Sequence, residues 1–111
     1  PTEITLEKLL KAFMDKPRLK RAQGIKGREL IIQEETDNLV KALVRDYHIV
    51  IDLENHVILH DCADWNRVSP SKRFCKHIGK LILSLDKERA SNILKQIYAH
   101  KERWEFKPYT Q

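Results

Sequence analysis

The 111-residue chain reads as a small α+β domain. Residues 47–52 alternate, with Tyr47, Ile49 and Ile51 on one side and His48, Val50 and Asp52 on the other. That period-2 pattern belongs to a sheet with one buried face. Apolar residues recur at helical spacing in two later stretches: Phe74, Ile78, Leu81, Ile82 and Leu85, then Ala90, Ile93, Leu94, Ile97 and Tyr98. Each set defines one helix face. The composition, 41% hydrophobic and 33% charged, supplies one modest core and excludes a disordered or collagen-like chain.

In chain order, residues 5–15 predict an N-terminal helix. Leu6, Leu9, Leu10, Phe13 and Met14 form its stripe, Thr5 caps it and Pro17 ends it. Residues 16–28 read as a basic loop with Gly24 and Gly27 and no acid. Residues 29–60 read as an antiparallel meander of about four short strands, near 30–32, 39–44, 47–51 and 57–60. Polar turns at 34–38 and 52–55 separate them, since Asp and Asn tolerate turn conformations. Residues 61–73 read as irregular and precede the helix that carries Phe74 to Leu85. Asp86 caps a last helix within 86–105, and the tail from Phe106 to Gln111 is extended. Residues 1–111 thus form a single domain without repeats.

Charge and cysteine usage narrow the function classes. Lys plus Arg is 21 against 16 for Asp plus Glu, a net charge of +5. This favours a polyanionic partner. No apolar run approaches the ~18 residues of a membrane helix. The start, Pro1-Thr2-Glu3-Ile4-Thr5, has neither the basic nor the apolar region of a signal peptide. Pro1 is what trimming of an initiator Met leaves. The expectation is a full-length cytoplasmic chain. Two cysteines are too few for a secreted disulfide scaffold and suit a metal site in a reducing compartment.

The chemistry concentrates in His60-Asp61-Cys62-Ala63-Asp64-Trp65 and Phe74-Cys75-Lys76-His77. Read for ligands, these are His-x-Cys, twelve residues, and Cys-x-His. Two close pairs of borderline-soft ligands suit tetrahedral zinc. Residues two apart at a strand end project to one side, so His60 and Cys62 can grip one ion. On a helix such residues diverge by about 200°, so Cys75 must sit at or before the first turn, with His77 reaching back. Two buried thiols beside separate histidines, or a Cys62–Cys75 disulfide, are the competing readings.

The run resembles a SWIM zinc finger, named after bacterial helicases, plant transposases and a eukaryotic kinase. Members read Cys-x-Cys-x-Asp-Trp, a variable loop, then Cys-Lys-His-Ile and an apolar helix. This chain has Cys62-Ala63-Asp64-Trp65, and Cys75-Lys76-His77-Ile78 before Leu81-Ile82-Leu83. The resemblance covers residues 40–85 and implies a ββα finger over 60–85. His60 stands where the family's first cysteine would be, and His56 and Asp64 are reserve ligands. The implied zinc, held by His60, Cys62, Cys75 and His77, is structural, because four protein ligands leave no position for water.

Around this motif, Arg67, Lys72, Arg73, Lys76 and Lys80 make a candidate phosphate-facing surface. It joins Lys16, Arg18, Lys20, Arg21, Lys26 and Arg28 of the basic stretch. Trp65 reads as a packing plug, with base stacking the alternative. His60-Asp61 lacks the further His and Asp of a metal-dependent phosphohydrolase. Both thiols are better used as ligands than as nucleophiles, and no Gly-rich phosphate cradle is present. The expectation is therefore a non-enzymatic nucleic-acid-associated protein without a small-molecule substrate. It would serve as a small basic subunit of a nucleoprotein assembly: a ribosome or other ribonucleoprotein if RNA is bound, a recombination or repair accessory if DNA is. The alternative that the resemblance implies is a protein–protein adaptor for a RecA-like ATPase.

Overall fold

The computed structural model describes residues 5–110, so the expectations for residues 1–4 and for Gln111 lie outside it. Within these residues the chain runs α1 (Leu6–Leu10), α2 (Lys16–Gly24), β1 (Leu30–Glu35), β2 (Leu39–Val44), β3 (Tyr47–Asp52) and β4 (Val57–His60). It continues through α3 (Ala63–Val68), α4 (Lys76–Ser84), α5 (Lys87–Ala99) and β5 (Glu105–Pro108). Short 3-10 turns at Gly27–Glu29 and Ser69–Ser71 precede β1 and follow α3. The predicted α+β class holds.

The first departure lies at the N-terminus. The helix predicted over 5–15 stops at Leu10, and the basic loop predicted over 16–28 is largely α2. Pro17 does not end a helix but opens one, where its missing N–H costs nothing. Asp15 is the N-cap, its Oδ1 accepting the Arg18 N–H at 2.9 Å. Leu19, Ala22 and Ile25 bury one side of the supposed loop. The run of bases masked a weak apolar stripe between them.

The meander forms at the expected place, with β1, β2, β3 and β4 antiparallel in sequence order. β1 is longer than expected and takes in Glu34 and Glu35, past a bulge between Ile32 and Glu34. Arg45 and Asp46 turn the chain from β2 into β3 with φ of 50° and 69°. Both are left-handed, as a twist-matched two-residue hairpin turn requires. A fifth strand corrects the expected four. β5 lies parallel to β4, with Ile58 beside Phe106. The extended tail is thus part of the sheet.

One sheet face meets the helices through Val40, Ala42, Val44, Ile49, Ile51, Ile58 and His60, all buried. Phe106 stacks there on Trp65 and Phe74. α2 packs on α4 where Gly79 comes against Ala22 and Met14; a β-carbon on Gly79 would sit 2.8 Å from Met14 Cε and 3.1 Å from Ala22 Cβ. The other face is open. Ile31 lies opposite Leu43 there and Val50 opposite Leu59, with Leu43 and Val50 diagonal neighbours beside His48 and Lys41, none of the four apolar residues buried.

Residues 61–73, expected to be irregular, hold α3, because the Cys62 sulfur accepts the Trp65 N–H and starts a helical turn. Asp86 caps α5 as expected, through the Arg89 N–H. The helix ends at Ala99 rather than near Trp104. His100 leaves helical geometry at φ −125°, which lets Trp104 turn inward and bury completely. Among the described residues no helix is long and apolar enough to cross a membrane.

Candidate metal centre

The fold brings His60, Cys62, Cys75 and His77 together. One ligand atom from each lies within 4.8 Å of all the others, and all four residues are buried. A tetrahedral ion with bonds of 2.0–2.3 Å needs ligand atoms about 3.3–3.8 Å apart, so a small contraction suffices. The group can hold a metal ion.

Each ligand is placed by a separate device. His60 ends β4 on the core face. Its Nδ1 lies 2.6 Å from the His48 carbonyl, which can only accept. Nδ1 therefore carries the proton, and the lone pair of Nε2 faces the cluster. Cys62 is the N-cap of α3, and Cys75 is the N-cap of α4, in extended conformation outside the first turn. His77 lies inside that turn, which resolves the divergence expected of residues two apart on a helix. Tyr47 lies over the outside, its ring 4.9 Å from that of His77.

The polar atoms of this cluster have a shared peculiarity. His60 Nε2 and both ring nitrogens of His77 are buried without any hydrogen-bond partner in the protein. A buried unpaired polar atom costs about 1–3 kcal/mol, and three in one place are poorly explained by packing. A bound cation satisfies one nitrogen on each ring. The thiols are electrostatically unequal. The hydrogen bond from Cys75 holds the Cys62 thiol well below the usual thiol range. Burial, and then the neighbouring Cys62 sulfur, pushes Cys75 well above the usual thiol range. A dication at this place would stabilise both thiolates.

A supporting layer surrounds the four. Asp61 faces away and accepts from the His48 N–H at 2.8 Å, with its other oxygen 2.9 Å from His48 Nδ1. The His48 ring stacks on Tyr109 at 4.5 Å. Asp64 is no ligand: it takes a two-pronged hold on Arg18, Nε to Oδ2 and Nη2 to Oδ1, each 2.8 Å. His56 is no ligand either and packs on Trp104. Trp65 is fully buried, and its Nε1–H donates to the Lys107 carbonyl at 2.8 Å. It plugs the core and offers no face to a base.

The basic residues divide. Lys16, Lys20, Arg21, Lys26, Arg28, Arg67 and Arg73 are exposed, and Lys76 and Lys80 are half-exposed. Two are structural. Arg18 is held by Asp64 and Asp15, which raises its pKa, and Lys72 Nζ donates to the Lys101 carbonyl. Arg18 is thereby withdrawn from the candidate phosphate contacts. Sequence reasoning missed the Arg18–Asp64 clamp, since nothing local marks a pair 46 positions apart. No protein-family model, curated protein or solved structure matches the chain.

Proposed function

We propose that the protein is a non-enzymatic, zinc-stabilised module that binds the phosphate backbone of a nucleic acid as a small subunit of a nucleoprotein assembly. Zinc is the ion that two thiolates and two imidazoles suit best. Four protein ligands close its coordination, so its contribution is to hold β4, α3 and α4 together. The Asp-Trp and Cys-Lys-His-Ile segments and the strand before them resemble a SWIM finger, with His60 replacing a cysteine. The resemblance supports the same ligand set.

The observation that carries the nucleic-acid reading is the charge of the helical layer. From Lys16 to Arg28 there are six bases and no acid. Five of them remain exposed once Arg18 is set aside. Because α2 packs on α4, this surface neighbours the one that holds Lys76 and Lys80. Lysine and arginine without base-reading geometry favour sequence-independent backbone contact.

The test is fluorescence anisotropy of labelled RNA and DNA oligonucleotides across a salt series. Log affinity should fall steeply with log salt, by roughly 0.7 per phosphate contacted on a single strand. Replacing Lys16, Lys20 and Arg21 by Gln should flatten that slope. Weak binding with an unchanged slope would remove the helical layer from the model of action. The adaptor reading has its own support in the open sheet face, where Ile31, Leu43, Val50 and Leu59 make an apolar stripe of the kind that protein partners cover. A salt-insensitive protein partner would favour it, and the resemblance directs that search to RecA-like ATPases.

A further inference from the structure

β1 is an edge of the sheet, and five of its six residues are exposed. Ile31 and Ile32, at 58% and 39% exposure, stand on opposite faces of it. Edge strands are normally blunted by charged residues, Pro, a bulge or a covering element, and in β1 the bulge comes only after Ile32. Leu30, Ile31 and Ile32 bring no such residue.

The ladder tells which backbone groups are open. The Arg45 N–H donates to the Glu29 carbonyl at 2.9 Å, and the register sets Leu30 against Val44 and Ile31 against Leu43. Antiparallel pairs alternate, so Ile31 is the next to bond to β2. The N–H and C=O groups of Leu30 and Ile32 therefore point to the open edge. An antiparallel strand with bonding groups two residues apart completes them, and β1 has that spacing itself.

We propose that the occupant is a second copy of this chain. The two β1 strands pair antiparallel, Leu30 of each opposite Ile32 of the other, about a twofold axis at Ile31. Two observations select a copy over an unrelated strand. The most exposed isoleucine falls on the axis in the closely spaced, non-hydrogen-bonded position, where side chains meet across the pair. The charges are self-complementary along the strand. Arg28 precedes the apolar triplet and Glu34 follows it, both exposed and neither in an ion pair among the described residues. Arg28 stands in the 3-10 turn before the triplet and Glu34 past the bulge after it, so antiparallel pairing sets the basic end of each triplet near the acidic end of the other. The bulge after Ile32 limits the ladder to the triplet, so the dimer is a weak, reversible one.

The experiment is sedimentation equilibrium of the zinc-loaded full chain up to about 100 μM, above the micromolar range that a short pairing supports. Wild type should be a monomer–dimer mixture. Arg28→Glu and Glu34→Arg should each weaken association at least about tenfold, because each sets like charges side by side, and the double swap should restore it. Ile31→Cys, oxidised with diamide, should form a covalent dimer, because the native thiols are buried and only the axial residue meets itself. Ile32→Pro removes an N–H aimed at the edge and none aimed at β2, and should give a folded monomer. A wild-type chain that stays monomeric overturns the proposal. So does a dimer indifferent to the charge swaps, or one lost in both singles and not regained in the double. The zinc site is untouched by these variants, and the Ile31→Cys and Ile32→Pro arms leave every basic residue in place.

Discussion

Arg18 is the residue for which sequence and structure give opposite expectations, and a double-mutant cycle with Asp64 separates them. Two parallel charge-assisted bonds of 2.8 Å join side chains that are 25% and 31% exposed. Fully exposed pairs couple by about 0.2–1 kcal/mol, while sheltered hydrogen bonds to charged groups reach about 1.5–3 kcal/mol. The geometry lies between, so a coupling of about 1.5–2 kcal/mol is expected. Unfolding entropy of about 2.1 cal/mol/K per residue over 111 residues gives about 0.23 kcal/mol per degree. The coupling is then about 6–9 °C in Tm. Arg18→Ala, Asp64→Ala and the double variant should be melted with zinc bound, and their oligonucleotide salt slopes measured alongside. The cycle removes the separate contact of Arg18 with Asp15. A coupling below about 0.5 kcal/mol, together with a flatter salt slope in Arg18→Ala, would refute the clamp and return Arg18 to the phosphate-binding set.

Four further outcomes are expected. Cys75→Ser, or chelation of the wild type, should abolish stoichiometric zinc by elemental analysis and melt the protein at far lower temperature. Unchanged zinc content and Tm would end the metal reading. Gly79→Ala gains about 1 kcal/mol of helix propensity but drives its methyl into buried Met14 and Ala22. Urea unfolding should show a net loss of up to about 2 kcal/mol, the smaller the more readily the Met14 thioether moves aside. Asp46→Gly relieves a left-handed non-glycine residue in the β2–β3 turn and should raise stability by up to about 1 kcal/mol. The Arg18 N–H holds the Asp15 carboxyl below its usual pKa. Its contribution is therefore present above about pH 4 and lost as pH falls through the lower folded-state value. Asp15→Asn keeps the cap and drops the charge, so its denaturation midpoint should decline less steeply between about pH 5 and 2.

The parts of the fold legible in the sequence are those fixed by short-range pattern. The alternation at 47–52 located β3, and its neighbours followed from polar turns. His-x-Cys and Cys-x-His singled out four side chains that the fold gathers into one cluster. Misread elements were those whose local signal was ambiguous. Pro17 punctuates either a helix end or a helix start, and only Asp15 bonding to the Arg18 N–H decides between them. Cys62 is an unusual N-cap, so α3 had no recognisable beginning. β5 contains Pro108 and alternates poorly, because its place depends on Trp65 bonding to the Lys107 carbonyl and on Phe106 entering the core. Those are contacts between distant parts of the chain, which no window of sequence displays.

The order of elements along the sheet has a kinetic consequence. β1 to β4 pair only with chain neighbours, so the meander closes short loops and has little entropy to overcome before its contacts form. It can therefore assemble early, carrying His60 at its last position. α1 and α2 are different. α1 packs on α5; α2 and the turn before it meet Asp64, Phe74 and Gly79, all far along the chain, and the Phe74 N–H donates to the Phe13 carbonyl at 2.7 Å. The N-terminal helices must wait for α3, α4 and α5, so the first part of the chain is among the last to dock. A late-docking unit is also a natural candidate for the first to open. Hydrogen exchange should protect β2 and β3 most and release α2 by partial opening well below the global unfolding free energy. Equal protection across both would contradict this order. The helix that bears Lys16, Lys20 and Arg21 would then exchange between a docked and a released form while the sheet beneath it stays intact.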